Sequence, residues 1–324
     1  MRLKNCPHPC RARSLSTFSR RLSSQLPTIK IQDVPAPNTG RIRILSLNRP
    51  AARNAISKQL LNELTGAVDE IHAEYDENGH ERPMSEWRAN STQTHVQGPT
   101  RALILTSEVD SCFCAGADLK ERSGFSTSET TAFLARLRQT FTSLSLLPIP
   151  SITAISGRAL GGGLELALCT HLRVFASTAE VGLPETRLAI IPGAGGTYRL
   201  PALIGLARAR DLILTGRRVS AAEAYFLGLA DRLVEVEARD SLPATARSAD
   251  LLARARPLVL HEAQKLAIEI CEGGPVAVRS ALKAVTWAQE EVEQEMYKRV
   301  LDTQDRNEAL QAFVEKRRPI YSGK

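Results

Sequence analysis

No apolar run in the chain approaches the ~20 residues that a membrane-crossing helix requires, so nothing in the sequence points to a bilayer. Histidine is scarce. The six present (His8, His72, His80, His95, His171, His261) form neither an H-E-x-x-H pair nor a facial cluster. Cys112-x-Cys114 lacks the spacing of a zinc knuckle, and no metal site is expected. Six cysteines are also too irregular for a disulfide framework: Cys6 and Cys10 fall in a basic leader, while Cys112, Cys114, Cys169 and Cys271 sit in apolar contexts. Thiols buried as small hydrophobes in a reducing compartment are the simpler reading. Nucleotide motifs are missing too. "GAGGTYRL" (193–200) has the glycines of a phosphate loop without its Lys-Ser/Thr pair, and no G-x-G-x-x-G follows a strand. "AISGR" (154–158) is not a G-x-S-x-G nucleophile elbow.

Acid is absent from the first 32 residues, which hold seven basic side chains (Arg2, Lys4, Arg11, Arg13, Arg20, Arg21, Lys30). Without those seven the chain has 35 basic and 35 acidic residues, so the net charge of +7 belongs to the leader. Residues 1–30 are Arg-rich and Ser-rich and lack the apolar core of a secretory signal. That is the composition of a mitochondrial transit peptide, cleaved between Arg21 and Ile31, and it implies the mitochondrial matrix. A disordered basic arm is the alternative.

What remains is long enough for a sizeable core. "RIRILSL" (41–47) alternates Arg with Ile and reads as a half-exposed strand. "RALILTS" (101–107), "PSITAIS" (150–156) and "LRVFAS" (172–177) read as more buried strands. Helices are expected over 57–74, 129–146 and 162–171, with capping boxes at Ser126/Glu129 and Ser220/Glu223. Strand–helix alternation argues an α/β core over 31–245. Residues 75–100 are polar and without period, which predicts a surface insertion, and 246–324 reads as all-helical, for packing or assembly.

Chemistry concentrates in three segments: "FCAGADLK" (113–120), "ALGGGLE" (159–165) and "VGLPETRLAIIPGAGG" (181–196). The first two are glycine turns that follow strands and leave backbone N–H groups uncovered. Two such donors converging from different loops would make an oxyanion hole. Glu165 lies among Leu164, Leu166, Ala167 and Leu168, and Glu185 follows Pro184 in an apolar loop. Burying an unpaired carboxylate costs several kcal/mol, so each needs a partner or a function. Arg158 and Arg187 are candidate ion-pair partners; paired acid/base work on an activated carbonyl compound is the other reading.

"CFCAGADLKE", "ALGGGLELAL" and "LPETRLAIIPGAGGTYRLP" resemble the enoyl-CoA hydratase/isomerase (crotonase) family, from about residue 41 to "AFVEKRRP" (312–319). Within it, "SEVDSCFCAGADLKER" is most similar to the AU-binding, methylglutaconyl-CoA hydratase branch. The resemblance implies a crotonase spiral of ββα units with a C-terminal helical trimerisation region, assembled as a homotrimer or homohexamer. It implies an acyl-CoA substrate and no separate cofactor, coenzyme A entering with the substrate. The N–H groups of Ala117 and Gly162 would bind the thioester oxygen. Glu165 would activate a water, and Glu185 would protonate the α-carbon. Arg53, Ala115, Gly116, Ala117, Asp118 and Lys316 would meet coenzyme A, with Tyr297 from a neighbouring subunit, and Asp118 would fix its turn rather than react. Two glutamates favour a hydratase over the family's isomerases. A short-chain enoyl-CoA hydratase of fatty-acid oxidation shares every one of these residues. A methylglutaconyl substrate, with its second carboxylate, calls for a basic side chain at the acyl end, for which Arg122 and Lys120 are candidates.

The branch also suggests binding of AU-rich RNA. The corresponding helix carries Lys58 alone against Glu63, Asp69, Glu70, Glu74, Asp76 and Glu77. Phosphate contacts dominate affinity for nucleic acid, so this helix argues against RNA.

Overall fold

A computed structural model describes residues 26–87, 98–239, 241 and 243–324. Among the described residues, ten strands form two sheets. The larger contains β1 (Ile29–Pro35), β2 (Arg41–Leu47), β3 (Thr100–Ser107), β5 (Ser151–Ile155), β7 (Leu172–Ala176) and β10 (Arg232–Val234), in that order. Within this sheet, among the described residues, only the β1–β2 pair is antiparallel. The smaller is ordered β4 (Cys112–Cys114), β6 (Arg158–Leu160), β8 (Glu180–Gly182) and β9 (Arg218–Ser220). This is the α/β architecture expected.

Side-chain alternation along the strands explains the layers. Leu45, Leu47, Leu103, Leu105 and Phe175 point to one face and pack with the helices Lys58–Ala73 and Thr127–Ser145. Ile42, Ile44, Ala102, Ile104, Ile152, Val174 and Ala176 point to the other, against Ala255, Val259, Ala263 and Ala267 of the helix Ala244–Cys271. The first C-terminal helix is therefore the second cover of the sheet. Of 246–324, read as all-helical for packing or assembly, the part within Ala244–Cys271 packs on the sheet, while Pro275–Trp287, Glu290–Leu301 and Gln304–Glu315 lie beyond this layer.

Covering both faces also overturns the half-exposed reading of β2, every residue of which is buried. Arg43 donates to both Asp33 oxygens, at 3.0 and 3.1 Å, and to Glu70; Arg41 reaches Glu74. Guanidinium groups are tolerated there because carboxylates from β1 and the end of Lys58–Ala73 neutralise them. The surface reading of 75–100 holds over 76–86, which are half-buried or exposed, and is corrected at Tyr75 and Trp87. Tyr75 is buried with its hydroxyl donating to the Thr100 carbonyl, and Trp87 is buried beneath the Arg41 guanidinium. Residues 88–97 lie outside the described residues. So do 1–25, which hold most of the leader; near its expected end, Thr28 and Ile29 donate their N–H groups to Glu63.

The helices over 57–74 and 129–146 are present as Lys58–Ala73 and Thr127–Ser145, while the third stops early, at Gly162–Ala167. Ser126 and Glu129 make a full capping box; at Ser220 only the hydroxyl half forms, accepting from the Glu223 N–H.

Candidate active site

The smaller sheet places two turns side by side. After β4 the chain turns through Ala115, Gly116 and Ala117; after the neighbouring parallel strand β6 it turns through Gly161 into the helix Gly162–Ala167. The approach is close. A Cβ on Gly116, whose φ is +92°, would lie 2.8 Å from the Leu160 carbonyl oxygen and 3.3 Å from the Gly162 nitrogen. A Cβ on Gly162 would lie 3.7 Å from the Ala117 nitrogen. No carbonyl among the described residues accepts from the N–H of Ala117 or of Gly162. The sequence-predicted donor pair is thus brought together with both hydrogens unspent. Around it, Asn54 donates to the Phe113 carbonyl, Ala115 N–H to the Arg53 carbonyl, and Ile56 N–H to the Gly116 carbonyl.

Glu165 occupies the first turn of that helix and is 3% exposed. It forms no ion pair among the described residues: Arg158 is taken by Glu180, and Arg187 by the Thr215 carbonyl. Instead its Oε1 accepts from the N–H groups of Ala194 and Gly196, each at 2.8 Å. Burial pushes its pKa above the usual carboxylate range, and the two N–H groups oppose that shift. Glu185 opens the short 3₁₀ turn Glu185–Leu188 and is also buried. Gly161 lies against its carboxylate, where a Cβ would fall 2.9 Å from Oε1. Its Oε2 is buried with no hydrogen-bond partner among the described residues. Burial, with the charge of Glu165 adding to it, pushes the Glu185 pKa up to about 7. Two carboxyl groups held differently in this way suit opposite proton-transfer tasks.

Both carboxyl groups and both turns border one cleft of about 560 Å³. Its walls are mainly apolar: Ile56, Leu119, Leu134, Leu137, Leu188, Ile190 and Ile191. Two cations, Arg122 and Arg138, also line it. Arg122 forms no ion pair among the described residues and holds its guanidinium 5.9 Å from the centre of the Phe133 ring. Lys120 does not line the cleft. Asp118 fixes the turn, capping Leu119–Arg122 and pairing with Arg49 at 2.6 Å. Arg53 (φ +50°), Tyr297 and Lys316 (φ +55°) lie outside the walls of the cleft in the single chain. Sequence reasoning missed Arg138 and the Ala194/Gly196 clamp. The small residues of "PGAGG" (192–196) were the available signal, since they let backbone approach a buried oxygen.

A family model described as enoyl-CoA hydratase/isomerase matches residues 92–324. The chain belongs to this family. It is 59% identical to methylglutaconyl-CoA hydratase 1, mitochondrial, of Pyricularia oryzae, across 92% of this chain and 87% of that protein. It is 37% identical to the mitochondrial methylglutaconyl-CoA hydratase of Mus musculus, across 94% and 87%. Among solved structures, the enoyl-CoA hydratase of Bacillus anthracis superposes with a TM-score of 0.72 at 36% identity, covering 92% of this chain and all of that one. In this member of the enoyl-CoA hydratase/isomerase family, the two carboxyl groups and the convergent N–H groups share one mainly apolar cleft.

Proposed function

We propose that the protein hydrates an enoyl-CoA, with 3-methylglutaconyl-CoA as substrate and 3-hydroxy-3-methylglutaryl-CoA as product. The observation that carries this is the juxtaposition, in one cleft, of two differently held carboxyl groups with two unspent N–H groups. Glu165 takes a proton from a water whose oxygen bonds to the β-carbon. The electron pair of the double bond moves onto the thioester oxygen, which Ala117 and Gly162 N–H groups stabilise as an enolate. Glu185 gives its proton to the α-carbon, and the carbonyl re-forms. The relatives named methylglutaconyl-CoA hydratase support the choice of substrate. Their mitochondrial names and the acid-free leader support a mitochondrial protein, and we place it in the matrix.

Arg122 is the candidate for the substrate's distal carboxylate, since a guanidinium in an apolar wall offers a directed fork. For the full chain, kcat/KM should favour 3-methylglutaconyl-CoA over crotonyl-CoA. Arg122→Ala should remove about tenfold of that preference, the worth of one charge-assisted contact. An unchanged preference would discard Arg122. A wild-type preference for crotonyl-CoA would instead favour the short-chain reading, for which the apolar walls are suited, and leave the mechanism in place.

Beyond the sheet-covering helix, the last three helices leave Val285, Trp287, Tyr297, Phe313 and Val314 exposed, Phe313 by 85%. Apolar groups so concentrated belong at contacts between chains. We propose a homotrimer or homohexamer; light scattering should give three or six chain masses, and a monomer at micromolar concentration would refute it.

A further inference from the structure

The peptide group joining Gly193 to Ala194 is gripped at both ends. Its N–H donates to Glu165 Oε1 at 2.8 Å, and its C=O accepts from Arg138 Nε at 2.7 Å. In a trans peptide these two groups lie in one plane and point in opposite directions. A guanidinium, a peptide and a carboxylate therefore form a single line of hydrogen bonds. The cation draws electron density toward the carbonyl oxygen and makes the opposite N–H a stronger donor. The next carbonyl along, that of Ala194, accepts from Arg199 Nη1 at 3.0 Å, and the second N–H on Glu165 comes from Gly196. Leu134, one turn before Arg138 on Thr127–Ser145, lies under Gly193. The segment is thereby fixed from the helix side while its N–H groups face the carboxylate.

We propose that Arg138 is a positioning residue for Glu165, acting through the Gly193–Ala194 peptide without touching the carboxylate or the substrate. The proposal rests on the reading of Glu165 as the base that activates water. A guanidinium at the cleft wall has one competing use, direct capture of the substrate's distal carboxylate. The two differ in what they move. Positioning changes the chemical step for every substrate, whereas capture changes the binding of dicarboxylic substrates alone.

The test compares Arg138→Met and Arg138→Lys with the unaltered full chain, on crotonyl-CoA and on 3-methylglutaconyl-CoA. Arg138→Met should lower kcat by about tenfold on both, the scale of one charge-assisted hydrogen bond, with KM within about twofold. Arg138→Lys, which keeps a donor and a charge, should restore most of the rate. The acid limb of the kcat/KM profile should also move to higher pH in Arg138→Met. That limb belongs to Glu165 as it is faced by Glu185, by Arg199 from Gly196–Ile204, by Arg138 itself and by the Cys169 thiol. A loss confined to KM for the dicarboxylic substrate would overturn the proposal in favour of capture, and an unchanged kcat would overturn it outright. Amide hydrogen exchange needs no substrate. Protection at 194–196 should fall about tenfold in Arg138→Met, and unchanged protection would sink the idea even if the wild type turned over neither thioester, an outcome that would refute the proposed function separately.

Discussion

Glu165→Gln and Glu185→Gln should each lower kcat by about 10³-fold while leaving KM for the acyl-CoA nearly unchanged, as expected for a positioned base and a positioned acid. An amide keeps the shape of either side chain, but it neither takes a proton from water nor carries one to the α-carbon. The pH profile should report the same division of labour. In the proposed mechanism Glu185 acts in its protonated form, so kcat/KM should fall above about pH 7, where that proton is lost. On the acid side the rate should fall as Glu165 takes up a proton, and the two limbs belong to the pair jointly. Stability should fall in the same direction at Glu185. Its folded pKa is raised above the ~4.3 of an unfolded carboxyl, so stability present at low pH is lost as pH rises toward and through about 7. Glu185→Gln escapes that loss. It should be more stable than the wild type at pH 8, on the order of 2 kcal/mol after allowance for screening at the cleft, with the gap closing toward pH 5. Thermal melts at the two pH values check this. A gain equal at both would mean better packing rather than a relieved charge, and a Gln variant within tenfold of wild-type kcat would remove that residue from the mechanism.

How far the chain could be read without its structure depended on distance along it. Glu165 was legible because a carboxylate among leucines breaks its local pattern, and the glycine turns were legible because they follow apolar strands. Arg41 and Arg43 were misread for the converse reason. Their alternation with Ile42 and Ile44 is that of a half-exposed strand, and the carboxylates that bury them, Asp33, Glu70 and Glu74, come from other elements. Tyr75 and Trp87 looked like loop residues because single aromatics carry no period; the Thr100 carbonyl and the Arg41 guanidinium hold them in place. The segment of the helix Ala244–Cys271 read as helical without showing what it packs against, a sheet or a second chain. Hydrogen bonds from Ala194 and Gly196 were invisible altogether, since a backbone donor has no letter in the sequence.

Gly163→Ala should cripple both the fold and the reaction, and comparison with Gly66→Ala isolates the cause. Gly163 faces the backbone of β4: a Cβ there would fall 2.2 Å from the Cys114 carbonyl oxygen and 2.8 Å from its carbon. Neither atom belongs to a flexible side chain, so the helix Gly162–Ala167 must move away from β4. Cys114 lies three residues before Ala117, and Gly162 is the residue before Gly163, so this movement opens the gap between the two N–H groups. Overpacking of this kind costs ~2–4 kcal/mol, a fall of roughly 5–10 °C in Tm for a chain of this size. A displacement near 1 Å at the donor pair should take about 10²-fold from kcat in the fraction that stays folded at 25 °C. Gly66 sits on the exposed face of Lys58–Ala73, and a Cβ there would meet nothing within 4 Å. Ala at that position should raise stability by about 0.5–1 kcal/mol and leave kcat alone. If Gly163→Ala lost stability yet kept full kcat, Ala117 and Gly162 would not be the oxyanion donors, because their spacing could change without consequence. If it lost kcat with an unchanged melt, the helix would have shifted at little cost, and the N–H pair alone would account for the lost rate.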